Sequence, residues 1–298
     1  MSGQSAIEWC ESTWNVVTGC DRESPGRAHC YALDLAPRLR AMGVRKYRAA
    51  RDGGRASGPA FGVTLHLGEL EVPRRWRRPR RIFACSMGDL FHEQVPFAFI
   101  DRVFETIAAC PQHVFQVLTK RAARMRAYCE QRYEQHASAH PALGVAAAVP
   151  WPNVWLGVSI ENRRYVDRAD ELRLTPAAVR FISAEPLLGP LIEPREGWED
   201  GYRGPGLDLD GIDWLIVGGE SGPHHRPIRP AWVRDLRDAT RRSASDQITR
   251  PPAPRCAFFF KQWGGRTPKA GGRLLDGRSW DELPAVKHPA LETTQVSG

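Results

Sequence analysis

The sequence has no apolar run long enough to cross a bilayer, so a helical membrane protein is excluded. Its opening, Met1 to Cys10, has neither the basic stretch nor the apolar segment of a secretory leader, and the expected location is the cytoplasm. No C-x-x-C pair occurs among the seven cysteines, which speaks against a zinc ribbon or a thioredoxin-type site. In a reducing compartment these cysteines read as thiols or ligands rather than disulfides. There is no G-x-x-x-x-G-K-[ST] phosphate loop and no G-x-S-x-G elbow, which leaves little support for a nucleotide hydrolase or an esterase. Neither His92-Glu93 nor His224-His225 has another histidine one helical turn away, and both read as surface pairs.

What is present suits a globular α/β protein. Of 298 residues, 42% are hydrophobic, enough for a sizeable core, and 26% are charged. Short, nearly continuous apolar runs at Val63–Leu67, Ile82–Cys85, Val114–Leu118, Val154–Val158, Val179–Ile182, Trp214–Val217 and Ala257–Phe260 predict buried parallel strands. Between them, Phe97–Ala109 repeats apolar residues at helical spacing, and Ala122–Gln131, Arg163–Leu172 and Pro230–Arg241 are more polar versions. The alternation predicts right-handed βαβ units in a full or partial (β/α) barrel, with a doubly wound sheet as the second choice. Residues 1–264 read as one such domain with surface insertions at Arg51–Ala60, His136–Val149, Ile192–Gly211 and Ser243–Arg255. Residues 265–298 read as a partly mobile extension.

Both architectures put their chemistry at the carboxyl ends of the strands. Polar groups cluster there: Asp89 after the second run, Lys120 after the third, Glu161, Glu185 and Glu220 after the next three, and Lys261 after the last. Six in succession predict a ring of catalytic side chains around one pocket, able to grip a zwitterionic or phosphorylated ligand. Gly218 and Gly219 precede Glu220 and suit either a tight turn or close backbone approach to a ligand. The net charge of +8 suggests an anionic partner, a small molecule or a nucleic acid. The densest basic segment, Arg74 to Arg81 around Trp76, reads first as a solvated loop feeding the next strand. Second, it reads as arginines on phosphates with an aromatic that stacks on a base.

Cys20 and Cys30 flank a Gly/Pro-containing loop that leads into a helix starting near Tyr31, a setting that suits an iron–sulfur cluster or two partly buried thiols. The runs Thr13-Trp14-Asn15, Gly19-Cys20, Ser24-Pro25-Gly26, Cys30-Tyr31-Ala32, Ser86-Met87-Gly88-Asp89-Leu90-Phe91, Leu118-Thr119-Lys120-Arg121, Glu185-Pro186-Leu187, Gly218-Gly219-Glu220-Ser221-Gly222 and Lys261-Gln262-Trp263-Gly264 resemble, in matching order, the phage "gene product thirty-seven / sixty-eight" family. The resemblance implies a protein similar to radical S-adenosylmethionine enzymes. In these a C-x6-C-x2-C loop holds three irons of a [4Fe–4S] cluster and the fourth iron binds S-adenosylmethionine. Cys20 and Cys30 match the first and third cysteines, but Arg27 stands at the second, and a guanidinium donates only and cannot ligate iron. Cys10 and His29 are the candidate substitutes, though neither keeps the spacing, and loss of the cluster is the simpler inference. The expected function is therefore radical chemistry on an anionic substrate if a cluster forms. Otherwise the chain is a cluster-free module that binds a ligand, nucleic acid or protein, or runs acid–base chemistry in the same pocket.

Overall fold

The computed structural model describes residues 3–21, 23–48, 61–139, 151–193, 202, 204–241, 256–286 and 288. The predicted insertions at 51–60 and 243–255, and the part of 136–149 beyond residue 139, lie outside them. In chain order the strands are β1 (Gly3–Gln4), β2 (Ser12–Trp14), β3 (Val17–Thr18), β4 (Thr64–Leu65), β5 (Arg81–Ala84), β6 (Val114–Thr119), β7 (Val154–Ser159), β8 (Val179–Ala184), β9 (Trp214–Gly218) and β10 (Ala257–Gln262). The α-helices are α1 (Tyr31–Ala41), α2 (Arg45–Arg48), α3 (Phe97–Ala108), α4 (Ala122–Ala139), α5 (Asp167–Leu174) and α6 (Pro230–Ala239).

The main sheet has the order β1-β2-β5-β6-β7-β8-β9-β10, with β1 antiparallel to β2 and every later pairing parallel. Each crossover therefore steps in the same direction. With right-handed connections this places the helices on one face and curls the sheet around the other, which is barrel winding rather than double winding. The two end strands do not pair, so the sheet is an open half-barrel.

Alternation along the strands separates the two faces. Ile82, Val117, Leu156, Ile182, Leu215 and Phe258 pack with helix residues such as Val103, Tyr128, Leu172 and Leu236. Their neighbours Phe83, Trp155, Phe181, Trp214 and Phe259 line the concave face and are filled from within by Trp9. The Trp9 ring centroid lies 4.6 Å from Phe83 and 6.1 Å, edge-on, from Trp214. Gly157 is required by this layer, because a Cβ there would sit 2.5 Å from the Phe181 ring.

One predicted strand is placed differently. Within Val63–Leu67 only Thr64–Leu65 is extended, and it pairs antiparallel with β3 in a separate two-stranded sheet. The first parallel strand is instead Ser12–Trp14. It has three residues and no apolar run, so periodicity does not reveal it. The helix predicted at Ala122–Gln131 continues to Ala139, and Arg163–Leu172 divides into a 3-10 turn, Arg163–Tyr165, followed by α5. Beyond Gly264 the chain folds back on the sheet: Asp281 bridges Phe259, and Leu275 and Trp280 are buried.

Candidate functional site at the carboxyl ends of the strands

The first corner of the site is built where β2 and β5 end side by side. Asn15 accepts hydrogen bonds from the Met87 N–H at 3.0 Å and the Ser86 hydroxyl at 3.2 Å. Cys85 turns the chain with φ +60°, and Gly19 bridges Gly88. This directs buried Asp89 at the end of β6, where it accepts from the Thr119 hydroxyl at 2.7 Å, the Lys120 N–H at 3.3 Å and the Arg121 guanidinium at 3.1 Å.

The other predicted residues follow around the arc. Lys120 pairs with Glu161, which is fully buried and also meets Arg168 at 3.3 Å. Lys261 pairs with Glu185 at 2.9 Å, and the Ser183 hydroxyl donates to the same carboxylate at 3.3 Å. Burial pulls the Lys261 ammonium down, but Glu185, with Glu8 and Cys10, raises it above the usual lysine value. Glu220 is gripped by Arg226 through its backbone N–H and a two-pronged guanidinium contact at 2.9 and 2.5 Å. Burial opposes ionisation there, yet the bonds and charge of Arg226 and the charge of His29 hold this carboxyl below its usual value.

The cysteine loop lies across this arc as a strap. Asp21 meets His92 at 3.1 Å, and Glu23 meets Arg121 at 3.0 Å. Ser24 donates to Glu161 at 2.6 Å, and the Pro25 carbonyl accepts from Arg226 at 3.0 Å. Gly26 passes so close that a Cβ would lie 2.5 Å from a Glu161 oxygen. At the far end the Tyr31 hydroxyl donates to the Ser86 carbonyl at 2.6 Å. The loop and the ring are thus one construction.

Arg121, Arg168 and Arg226, which complete the ring, were not among the predicted site residues. Arg121 directly follows Lys120 and was within reach of the strand-end rule. The other two sit in a helix and in a loop beyond the strand ends, where no sequence signal marks them.

The cysteines do not assemble a three-thiolate set. Buried Cys20 has its sulfur 3.5 Å from the Arg121 guanidinium and 3.5 Å from the Asp21 carbonyl. Cys30, half-buried, is the residue before α1 and packs in the same small apolar cluster as Cys20. Arg27 closes the 3-10 turn Pro25–Arg27 between them. Cys10 lies apart, at the amino end of β2 in the aromatic layer, where it bonds Ser5 and burial pushes its thiol up to about 11. His29 stands 6.0 Å from the His224 ring, on the Glu220 side. No group of three His, Cys, Asp or Glu side chains able to hold a metal occurs among the described residues. These residues do not fit a cluster held by three protein ligands.

Gly218 ends β9, and a Cβ there would lie 2.6 Å from a Glu185 oxygen. Gly219 lies against the Trp263 carbonyl, 2.0 Å from where its Cβ would be. The Arg74–Arg81 segment immediately precedes β5, at the opposite end of the sheet from the ring. No helix among the described residues is long and apolar enough to cross a membrane.

Fold and site together define an α/β half-barrel with a ring of paired charges, crossed by a strap, at the carboxyl ends of its parallel strands. The chain belongs to the family described as "Protein of unknown function (DUF5131)", whose profile matches residues 4–284. No curated protein matches the sequence. Among solved structures, a cysteine-to-alanine mutant of spore photoproduct lyase is similar at TM-score 0.44 and 13% identity, covering 87% of this chain and 79% of that one. A form of that mutant with dinucleoside spore photoproduct gives TM-score 0.39 and 13% identity over 81% of this chain. A double mutant with bound AdoMet and dinucleoside spore photoproduct gives 0.37 and 15% over the same share. In both of these the match spans 64% of the lyase chain.

Proposed function

We propose that this protein binds a small zwitterionic or anionic ligand at the carboxyl ends of its strands and does so without a three-thiolate iron–sulfur cluster. The observation that carries the reading is the unequal burial of the ring. The carboxylates Glu161, Asp89 and Glu220 are closed off even where the cation beside them, Lys120 or Arg226, is partly open. Lys261 and Glu185, by contrast, both keep surface, 23% and 15% of their side chains. A fixed ammonium beside a fixed carboxylate matches an amino-acid head group, the carboxylate of the ligand on Lys261 and its ammonium on Glu185. The motif likeness to the phage "gene product thirty-seven / sixty-eight" family makes S-adenosylmethionine the first ligand to try, since it carries such a head group.

Calorimetric titration of anaerobically purified protein with S-adenosylmethionine and, separately, with S-adenosylhomocysteine tests the pocket. Binding that weakens about tenfold or more in Lys261→Met supports it, on the scale of one lost charge-assisted contact. Binding that ignores Lys261→Met and Glu185→Gln sinks it. The radical alternative, favoured by Cys20 and Cys30 packing in the same small apolar group, is decided by iron and sulfide analysis after reconstitution. Stoichiometric iron that disappears in Cys20→Ala and Cys30→Ala would overturn the cluster-free reading.

A further inference from the structure

We infer that Arg75, Arg77 and Arg78 form a second interaction surface, a ridge that tracks the phosphate backbone of a nucleic acid at the end of the half-barrel opposite the pocket. The segment from 73 to 81 divides into tied and untied arginines. Arg81 is locked on Glu11 by contacts of 2.8 and 2.5 Å, Arg80 bonds the Ser12 hydroxyl at 2.9 Å, and Arg74 pairs with Glu71 at 3.2 Å. Arg75, Arg77 and Arg78 are exposed, and their side chains have no ion pair or hydrogen bond among the described residues. Elsewhere Arg126, Arg132, Arg173 and Arg234 each face a carboxylate. The exposed arginines without one, such as Arg38, Arg102 and Arg164, are scattered singly, whereas here three fall within four positions.

The frame under the ridge is rigid. Pro73 is buried, and the Trp76 ring is half-buried, 6.2 Å from His113 on one side, with the Arg80 guanidinium 5.2 Å from its centroid. Its carbonyl accepts from Gln112 at 3.4 Å. This geometry changes the expectation drawn from the sequence. Trp76 is an internal post rather than a platform for a base, so the ridge offers charge alone, without base stacking or sequence readout.

The chemistry selects the partner. The free guanidinia are exposed and none lines the cavity of about 610 Å³ that the tied Arg80 and Arg81 help to form. Exposed charges that line no cavity hold a small anion poorly, whereas a polyanion meets them one phosphate at a time. Membrane attachment would call for apolar side chains beside the charges. Here Val72, Pro73 and Trp76 turn inward, leaving a nucleic-acid backbone as the fitting partner.

The test is anisotropy of a labelled, mixed-sequence duplex of about 20 base pairs, titrated with full-length protein from about 50 to 200 mM salt. Three phosphate contacts contribute a log–log salt slope of about −2.7, or about a 40-fold loss of affinity across that range. The triple variant Arg75→Ala, Arg77→Ala, Arg78→Ala should lose this part of the slope while melting with the wild type. The triple lysine variant should keep it, since charge alone is read. An unchanged slope in the alanine variant would refute the ridge. So would failure to bind duplex at low salt alongside binding to anionic vesicles, which would assign the surface to membranes. Lys261→Met should leave duplex binding intact, and loss there would move the polyanion to the pocket and overturn the proposal. The ridge does not depend on the pocket reading.

Discussion

Replacing Glu161 by Gln should be among the most damaging conservative changes in this protein. Glu161 has no exposed surface and is the common anion for Lys120, Arg168 and Ser24. The amide keeps the shape and can still accept from Ser24, but it takes the counter-charge from buried Arg168 and weakens the hold on half-buried Lys120. Breaking a buried pair from one side costs about 3–5 kcal/mol, because the stranded charge remains desolvated. At about 2.1 cal/mol/K of unfolding entropy per residue, a chain of 298 residues loses about 5–8 °C in Tm for that cost. Scanning calorimetry at pH 7 measures it directly. Replacing both sides, as in Glu161→Leu with Lys120→Met and Arg168→Met, should recover most of the loss, since apolar groups need no counter-charge. A Tm within about 1 °C of wild type for Glu161→Gln alone would refute the reasoning, because the strap's central post would then not be electrostatic.

Gly26→Ala should lift the strap, since its Cβ would fall 2.5 Å from Glu161, and amide exchange at Ser24–Gly26 should speed up with little change in the core strands. Glu220 titrates with Arg226. Its folded-state pKa is depressed, so its stabilisation is present above the unfolded carboxylate value near 4.5 and is lost as pH falls through the lower folded value. Arg226→Ala should therefore cost stability at pH 7 and progressively less as pH falls below the usual carboxylate value, and a loss independent of pH would count against the pair. Burial pushes Cys10 up to about 11 and Cys85, Cys129 and Cys256 up to about 12, while Cys30 alone is half open. Thiol titration of the native protein should accordingly show one fast-reacting cysteine, lost in Cys30→Ser, against seven after denaturation. Gly157→Ala should cost about 1–3 kcal/mol by overpacking the concave layer, read as a lowered melting midpoint.

The sheet was largely legible because parallel strands covered on both faces are written as unbroken apolar runs, as in Val154–Ser159 and Trp214–Gly218. The same rule misled at Val63–Leu67, where an apolar run serves a small antiparallel pair with β3, distant in sequence, and it passed over Ser12–Trp14. Strand-end residues such as Asp89 and Lys261 could be named because the architecture fixes which end of a strand carries polar groups. Their partners could not. Arg168 and Arg226 reach the ring from α5 and from the loop after β9, and only three-dimensional packing brings them to Glu161 and Glu220.

The strap also sets an order of events as the chain folds. Ser24 reaches a partner 137 residues ahead, and Pro25 one 201 residues ahead. During synthesis this loop leaves the ribosome early and finds His92 and Arg121 first, but Ser24 and Pro25 have nothing to hold until β7 and the segment after β9 have been made. Contacts of such long sequence separation form late, after the sheet has brought its ends together. Fastening the strap at Pro25 is therefore a closing act of folding, and a chain truncated before Arg226 should carry most of the sheet with that end of the strap untied.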